Sequence, residues 1–504
     1  MKPKYTNSII LCSTFFFCIS SFIIENNIFF LSGGLALGVF WGLCLFSKNC
    51  SPENMNLFDI GSASYLIFSY GGLLYALSNI NLPEIIEIFT IFGYKFDEID
   101  VSYACIYSNL FCIAFCFIGK RIGHLRYLIR DSIKVIRRRL LLERKSILIF
   151  TILIITIKSY LIATGKINFS FQIDFDKVVS YGGIDDAIIY FIKSSSASSI
   201  FLISMLMFSK SFRNIFLIPL LIPELIYGFA QGRRPLIGYF LIFLLGYLVS
   251  NRLNKHVRPT KNRKEKSYFN KKNILTLGMI TIVLFTSMSA LNNLRFSIKS
   301  DSNSSKVGII DGLLSNTNNG TSRISNEELN KTIADNLVIR NAFTIAYISH
   351  TVHGVLLYNN FSTGSIIVGE IIQIIPSAIG LIDKSTNLQG EAIISNLTNV
   401  PIQDGANTLV VYSLADFSIF GIALYPLLFL AVNLIYFSIS KKMNPNSALI
   451  ASINLSCILF YYFSMSETGL CEFLLIERDL LMINFIYVFI ALLLKTNKKS
   501  QVNI

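Results

Sequence analysis

The sequence predicts an all-α polytopic membrane protein of about 12 transmembrane helices, with a large loop on the outer side between helices 9 and 10. Three observations predict it. Hydrophobic residues make up 53% of the chain and charged residues only 15%, the balance of a protein whose surface faces lipid. Uncharged apolar windows recur at the length a helix needs to cross about 30 Å of hydrocarbon. The connectors between those windows alternate in charge.

The windows run over 8–24, 28–46, 60–80, 101–119, 146–163, 188–208, 214–230, 236–250, 274–290, 413–439, 447–465 and 479–494, and an even number puts both termini on one side. Lys2 and Lys4 ahead of Ile9 to Ile24 look like a signal peptide, but no small-x-small cleavage site precedes Glu25 and a second span follows at once. The first window is therefore expected to be an uncleaved helix. Cys12, Cys18, Cys44, Cys105, Cys112, Cys116 and Cys457 lie inside spans and none falls in the long polar loop, so no disulfide framework is expected.

Connectors 120–145 and 251–272 are strongly basic, whereas 81–100 is acidic, and the positive-inside rule makes the basic ones cytoplasmic. With that parity the cytoplasmic segments hold 29 Lys and Arg against 5 Asp and Glu, a net +24, and the remainder holds 15 against 25, a net −10. The overall +14 is thus a topology signal, pointing to anionic membrane lipid as partner and not to nucleic acid.

Residues 1–290 carry helices 1–9, 291–412 the large outer loop and 413–504 helices 10–12. The loop begins polar, DSNSSKVGIIDGLLSNTNNGTSRISNEE, the composition of coil. Its second half, NAFTIAYISHTVHGVLLYNN and STGSIIVGEIIQIIPSAIGLID, is moderately apolar and interrupted by Glu370, Gln373 and Pro376. Helices lying in the interface or dipping partway in are expected there, against protein or a wet cavity. If they cross as a pair, the count becomes fourteen. No internal repeat suggests a two-half transporter.

The arginines assigned to the outer side are Arg233, Arg234, Arg295, Arg323, Arg340 and Arg478. Arg233 and Arg234 oppose the general bias. They are either headgroup anchors, the product of a bend around Pro219 and Pro223, or a fixed cationic site whose planar forks grip phosphate bidentately. Two of four histidines, His350 and His353, fall in SHTVHG at i,i+3 and can share a helical face. No Cys, Asp or Glu beside them completes a metal set. One structural and one functional histidine is the expected split, with His353 favoured because Gly354 permits close approach. Asp174 and Asp176 in QIDFDK could bind a divalent ion, or be two loop carboxylates placed by chance. Lys158, Lys193 and Glu224 fall in or near spans, where charge is costly. The lysines are expected to snorkel outward and Glu224 to face the interior, with SSSASS at 194–199 a helix-packing face.

The large loop after helix 9, Gly232, Arg233 and Arg234 opening a helix before a basic connector, and Asn407, Tyr412, Asp416, Phe417 and Gly421 of NTLVVYSLADFSIFG together resemble the O-antigen (Wzy-type) repeat-unit polymerase family. Ser418 departs, standing where that pattern has glycine. The resemblance spans the topology and is sharp over these two short stretches.

It implies a membrane-embedded glycosyltransferase of the bacterial inner membrane, a surface-polysaccharide polymerase. Such an enzyme moves a growing glycan from undecaprenyl pyrophosphate onto a lipid-linked repeat unit at the periplasmic face. Arg233, Arg234, Arg295 and Arg340 would hold the pyrophosphate, and His353, or second Asp416, would act as base toward the acceptor hydroxyl. No metal or cofactor is expected, and a chain-length-regulating co-polymerase is an implied partner. Three alternatives stay open: an O-antigen ligase, which shares the loop and donor; a lipid-linked oligosaccharide flippase or other transporter, which predicts repeated halves; and a non-enzymatic co-polymerase, which predicts few spans.

Overall fold

The structure, a computed structural model, describes residues 3–25, 27–49, 55–91, 93–121, 123–140, 142–163, 184–208, 217, 220–221, 224, 233–256, 342–357, 360–374, 390–399, 408–443, 446–466 and 468–501. Every regular element among them is helical. In order these are α1 (Pro3–Ile23), α2 (Ile28–Asn49), α3 (Leu57–Tyr65), a π turn (Leu66–Tyr70) into α4 (Gly71–Asn79), α5 (Leu82–Ile91), α6 (Glu98–Arg121), α7 (Gly123–Arg139), α8 (Arg144–Ala163), α9 (Ile184–Phe208) and α10 (Arg233–His256). After the large loop come α11 over 342–352, a π turn (His353–Leu357), α12 (Ser365–Ile374), α13 (Gly390–Thr398), α14 (Leu409–Phe417), a 3₁₀ turn (Ser418–Phe420), α15 (Gly421–Met443), α16 (Ala448–Phe463) and α17 (Leu470–Gln501).

Among the described residues five helical segments are long and apolar enough to cross a membrane: Thr6–Ile23, Ile28–Asn49, Leu57–Asn79, Glu98–Lys120 and Leu409–Met443. The chain is therefore an α-helical membrane-embedded protein. The expected window 274–290 and most of 214–230 lie outside the described residues.

Two differences from the sequence reading have clear causes. The connectors 81–100 and 120–145 contain helices α5 and α7, and α7 exists because Ile129, Ile133, Ile136 and Leu140 recur on one helical face and are buried, chiefly against α16. The expected helix 413–439 is two helices, α14 and α15, separated by a turn at Ser418 with φ 50°. Every described cysteine is a free thiol.

The chain divides into two compact units, Met1–Arg144 with Gly182–Ala187 and Asn336–Ile504, and Lys145–Tyr181 with Ile188–Asp335. In the first, α6 packs on α1, α3 and α15, while α12 packs on α13, α14 and α17. Close approach of α2 depends on Gly38, where a Cβ would stand 2.4 Å from the Tyr70 ring. Tyr70 then reaches across to donate to Asn109 Oδ1 at 2.8 Å.

Polar contacts in this unit join connectors that the charge rule assigns to the same side. At one end Lys95 and Asp100 meet His350 and His353. At the other Lys48 pairs with Asp59, and Glu143 accepts from Ser447 Oγ at 2.7 Å and the Leu449 amide at 3.2 Å, capping α16.

In the second unit the expectation that Lys158 snorkels outward is corrected. Lys158 is 1% exposed and its ammonium meets both the Glu224 carboxylate and the Ser196 hydroxyl. An ammonium in hydrocarbon is tolerated when an anion lies within reach, and Glu224 faces inward to supply one. Ser195, Ser196, Ser198 and Ser199 are all buried. Lys193 has only its backbone described.

Candidate functional site: a carboxylate–histidine pair beside a buried aspartate anchor

Helix α6 opens with a reciprocal capping arrangement. The Asp97 side chain accepts the Asp100 N–H and the Asp100 side chain accepts the Asp97 N–H, both at 2.9 Å. The same Asp100 oxygen, Oδ2, also lies 2.7 Å from His353 Nδ1. A carboxylate there favours the tautomer with the ring proton on Nδ1 and the lone pair on Nε2.

His353 is the first residue of the π turn, a distortion that re-aims side chains within a helix. Its side chain keeps 23% exposure, while Asp100 keeps 5%. Gly354 does allow close approach: a Cβ at that position would come within 2.9 Å of Thr398 Cγ2 on α13.

His350 is built differently. It is 2% exposed, its Nδ1 takes the Lys95 N–H at 2.9 Å, and its ring meets Tyr94 edge-on at 5.6 Å. Burial pushes its pKa down to about 4, which keeps the ring neutral. It ties the 93–97 segment to α11.

Asp416 is fully buried at the end of α14. Oδ1 accepts from the Ser362 hydroxyl and, at 3.0 Å each, from the Gly364 and Ile366 amides. Oδ2 accepts from the Ile367 amide at 3.1 Å and from Tyr425 OH at 2.9 Å. Five donors saturate this carboxylate, three of them backbone amides at the start of α12, so it anchors that helix to α14 and α15. Nothing in this geometry lets it receive a further proton donor.

The turn after Asp416 explains the sequence around it. Ser418 adopts φ 50° and ψ −134°, a conformation suited to glycine. Its carbonyl accepts from Tyr107 OH at 3.2 Å. At Gly421 a Cβ would lie 2.0 Å from the Ser413 carbonyl oxygen, so no side chain fits. Tyr412 packs between Gly390 and Gly469, where added Cβ atoms would stand 2.9 and 2.8 Å from its ring. Nearby Glu370 Oε1 caps α13 by accepting the Gly390 N–H at 3.0 Å.

Arg233 and Arg234 open α10, with only their backbone described. Arg295, Arg323, Arg340, Asn407, Asp174 and Asp176 lie outside the described residues. Arg478 is described, and it spends its Nη2 and Nε on Asp479 Oδ1 at 2.7 and 2.9 Å. Among the described residues no group of three or more His, Cys, Asp or Glu side chains could hold a metal.

The residue that sequence reasoning passed over is Asp100. Its signal was present as Asp97-x-x-Asp100 at a helix start, but its partner lies 253 positions away. Comparison with protein-family models, curated proteins and solved structures finds no match. What the fold itself defines is a class, a polytopic helical membrane protein.

Proposed function

We propose that this chain is a membrane-embedded glycosyltransferase, an O-antigen or related surface-polysaccharide polymerase. It would transfer a growing glycan from undecaprenyl pyrophosphate to a lipid-linked repeat unit at the periplasmic face of the bacterial inner membrane. The observation that carries the reading is the Asp100–His353 pair at 2.7 Å, on connectors the charge rule places outside.

His353 Nε2 takes the proton of the acceptor hydroxyl as that oxygen attacks the anomeric carbon. The bond from that carbon to the pyrophosphate oxygen breaks, and its electron pair leaves with the pyrophosphate. Asp100 stabilises the imidazolium that forms. Asp416, second choice as base from the sequence, becomes a positioning residue whose saturated carboxylate holds α12.

Arg233, Arg234, Arg295 and Arg340 are assigned to the leaving pyrophosphate. Support comes from the helix starts: those of α6, α12 and α13 are already occupied by Asp97, Asp416 and Glu370. Anion binding at those termini is thus unavailable, and guanidinium groups are the natural holders of a bidentate phosphate. The reading needs no metal.

The experiment is a lipopolysaccharide banding gel from a strain lacking the gene, complemented with wild type or His353→Gln. Loss of polymerase leaves core bearing a single repeat unit, and His353→Gln should give that pattern at normal membrane abundance. Core with no repeat unit would instead indicate a ligase or flippase and overturn the polymerase reading.

A further inference from the structure

Helix α7 has two faces with different partners. Ile129, Ile133 and Ile136, with Leu140 just beyond the helix, are buried on one side. Arg130, Lys134, Arg138 and Arg139 are exposed on the rest of the helix. Asp131 is the one acid in α7, and it pairs with Lys134 at 3.0 Å, so Arg130, Arg138 and Arg139 carry the net charge of that face.

A solvated connector would show the same charges. Leu142, in the turn that follows α7, adds an apolar side chain that is 74% exposed. The end of the bundle where α7 lies is set by Glu143, which caps α16, and by Asp59 with Lys48. The charge rule assigns that end to the cytoplasmic side. Exposed basic side chains along the helix and an exposed leucine just past its end match phosphate headgroups above acyl chains.

We infer that the exposed face of α7, with Arg130, Arg138, Arg139 and Leu142, is a binding surface for anionic phospholipid in the cytoplasmic leaflet. It fixes the cytoplasmic end of α16 relative to the membrane plane. The site is independent of the catalytic reading and rests on the charge-based orientation alone.

The test uses the full chain purified in neutral detergent, titrated with phosphatidylglycerol or phosphatidylcholine, with bound lipid counted by native mass spectrometry. Wild type should retain phosphatidylglycerol in preference, and 0.5 M salt should weaken that preference. The triple variant Arg130→Gln, Arg138→Gln, Arg139→Gln should lose about 5-fold per arginine, roughly 100-fold together, at an unchanged melting temperature in phosphatidylcholine. Leu142→Gln should also weaken lipid retention while leaving any binding of inorganic phosphate untouched. Equal retention of the two lipids by wild type, or undiminished phosphatidylglycerol binding by the triple variant, overturns the assignment. Full competition by inorganic phosphate overturns it too, by making the ligand a soluble anion.

Discussion

Replacing Asp100 by Asn isolates what the carboxylate contributes to His353. The amide oxygen can occupy the position of Oδ2 and still accept from the Asp97 N–H and from His353 Nδ1, which now stand at 2.9 and 2.7 Å. Ring orientation is kept; the negative charge is lost. Opposite charges about 4 Å apart at an effective dielectric near 20 attract by about 4 kcal/mol. Because His353 keeps 23% side-chain exposure, water screens part of this, and half, about 2 kcal/mol, is a reasonable share for the imidazolium. That corresponds to a rate about 30-fold lower. The assay is chain elongation of a lipid-linked repeat unit by purified protein, with His353→Gln beside it. His353→Gln should fall by two orders of magnitude or more, and Asp97→Asn, which touches only the cap, should stay within a few fold. Full activity of Asp100→Asn beside an inactive His353→Gln would remove the charge from the mechanism. Full activity of both would remove the base.

Four further outcomes are expected. Ser418→Gly should raise the melting temperature by a few degrees, since φ 50° costs a non-glycine residue about 1 kcal/mol or more, whereas Gly421→Ala should abolish folded protein in detergent extracts. Lys158→Met strands Glu224 in the interior and should cost about 3–5 kcal/mol, while adding Glu224→Leu should recover most of it, as seen in detergent unfolding. Folded His350 has its pKa lowered to about 4 against about 6.5 unfolded, so its contribution is present above pH 6.5 and lost as pH falls toward 4, at most about 3 kcal/mol. Melting curves across that window should be flatter in His350→Gln. Arg→Lys at Arg233 or Arg234 should cut polymerisation roughly 10- to 100-fold, about 1.4–2.7 kcal/mol, at normal abundance; near-normal glycan from the double variant would return the pair to an anchoring role.

The strained turn bears on the family resemblance in a specific way. Ser418 is the residue that departs from the pattern, and the backbone there adopts a conformation that glycine tolerates best. The sequence position was marked, but its dihedral angles were not visible. They accompany the close approach of Gly421 to the Ser413 carbonyl and the bonding of Asp416 to the start of α12.

By itself the sequence determined the class of molecule and, among the described residues, where its long apolar helices fall. A bilayer requires about 20 apolar residues in a row and backbone bonds closed within one segment, so the signal for each span is local. Connector charge is a local signal for the same reason. The close approach of the His353 turn to α13 was also legible, because Gly354 stands beside it. What only the tertiary structure decided is which charges meet. Asp100 and His353 are 253 positions apart and Lys158 and Glu224 are 66 apart, and no periodicity links either pair. Asp416 looked like a candidate base because its type and motif were visible, while its five donors come from the 362–367 segment and α15. Burial in a low-dielectric interior makes each such charge find a partner, and which one is at hand depends on how helices distant in sequence pack.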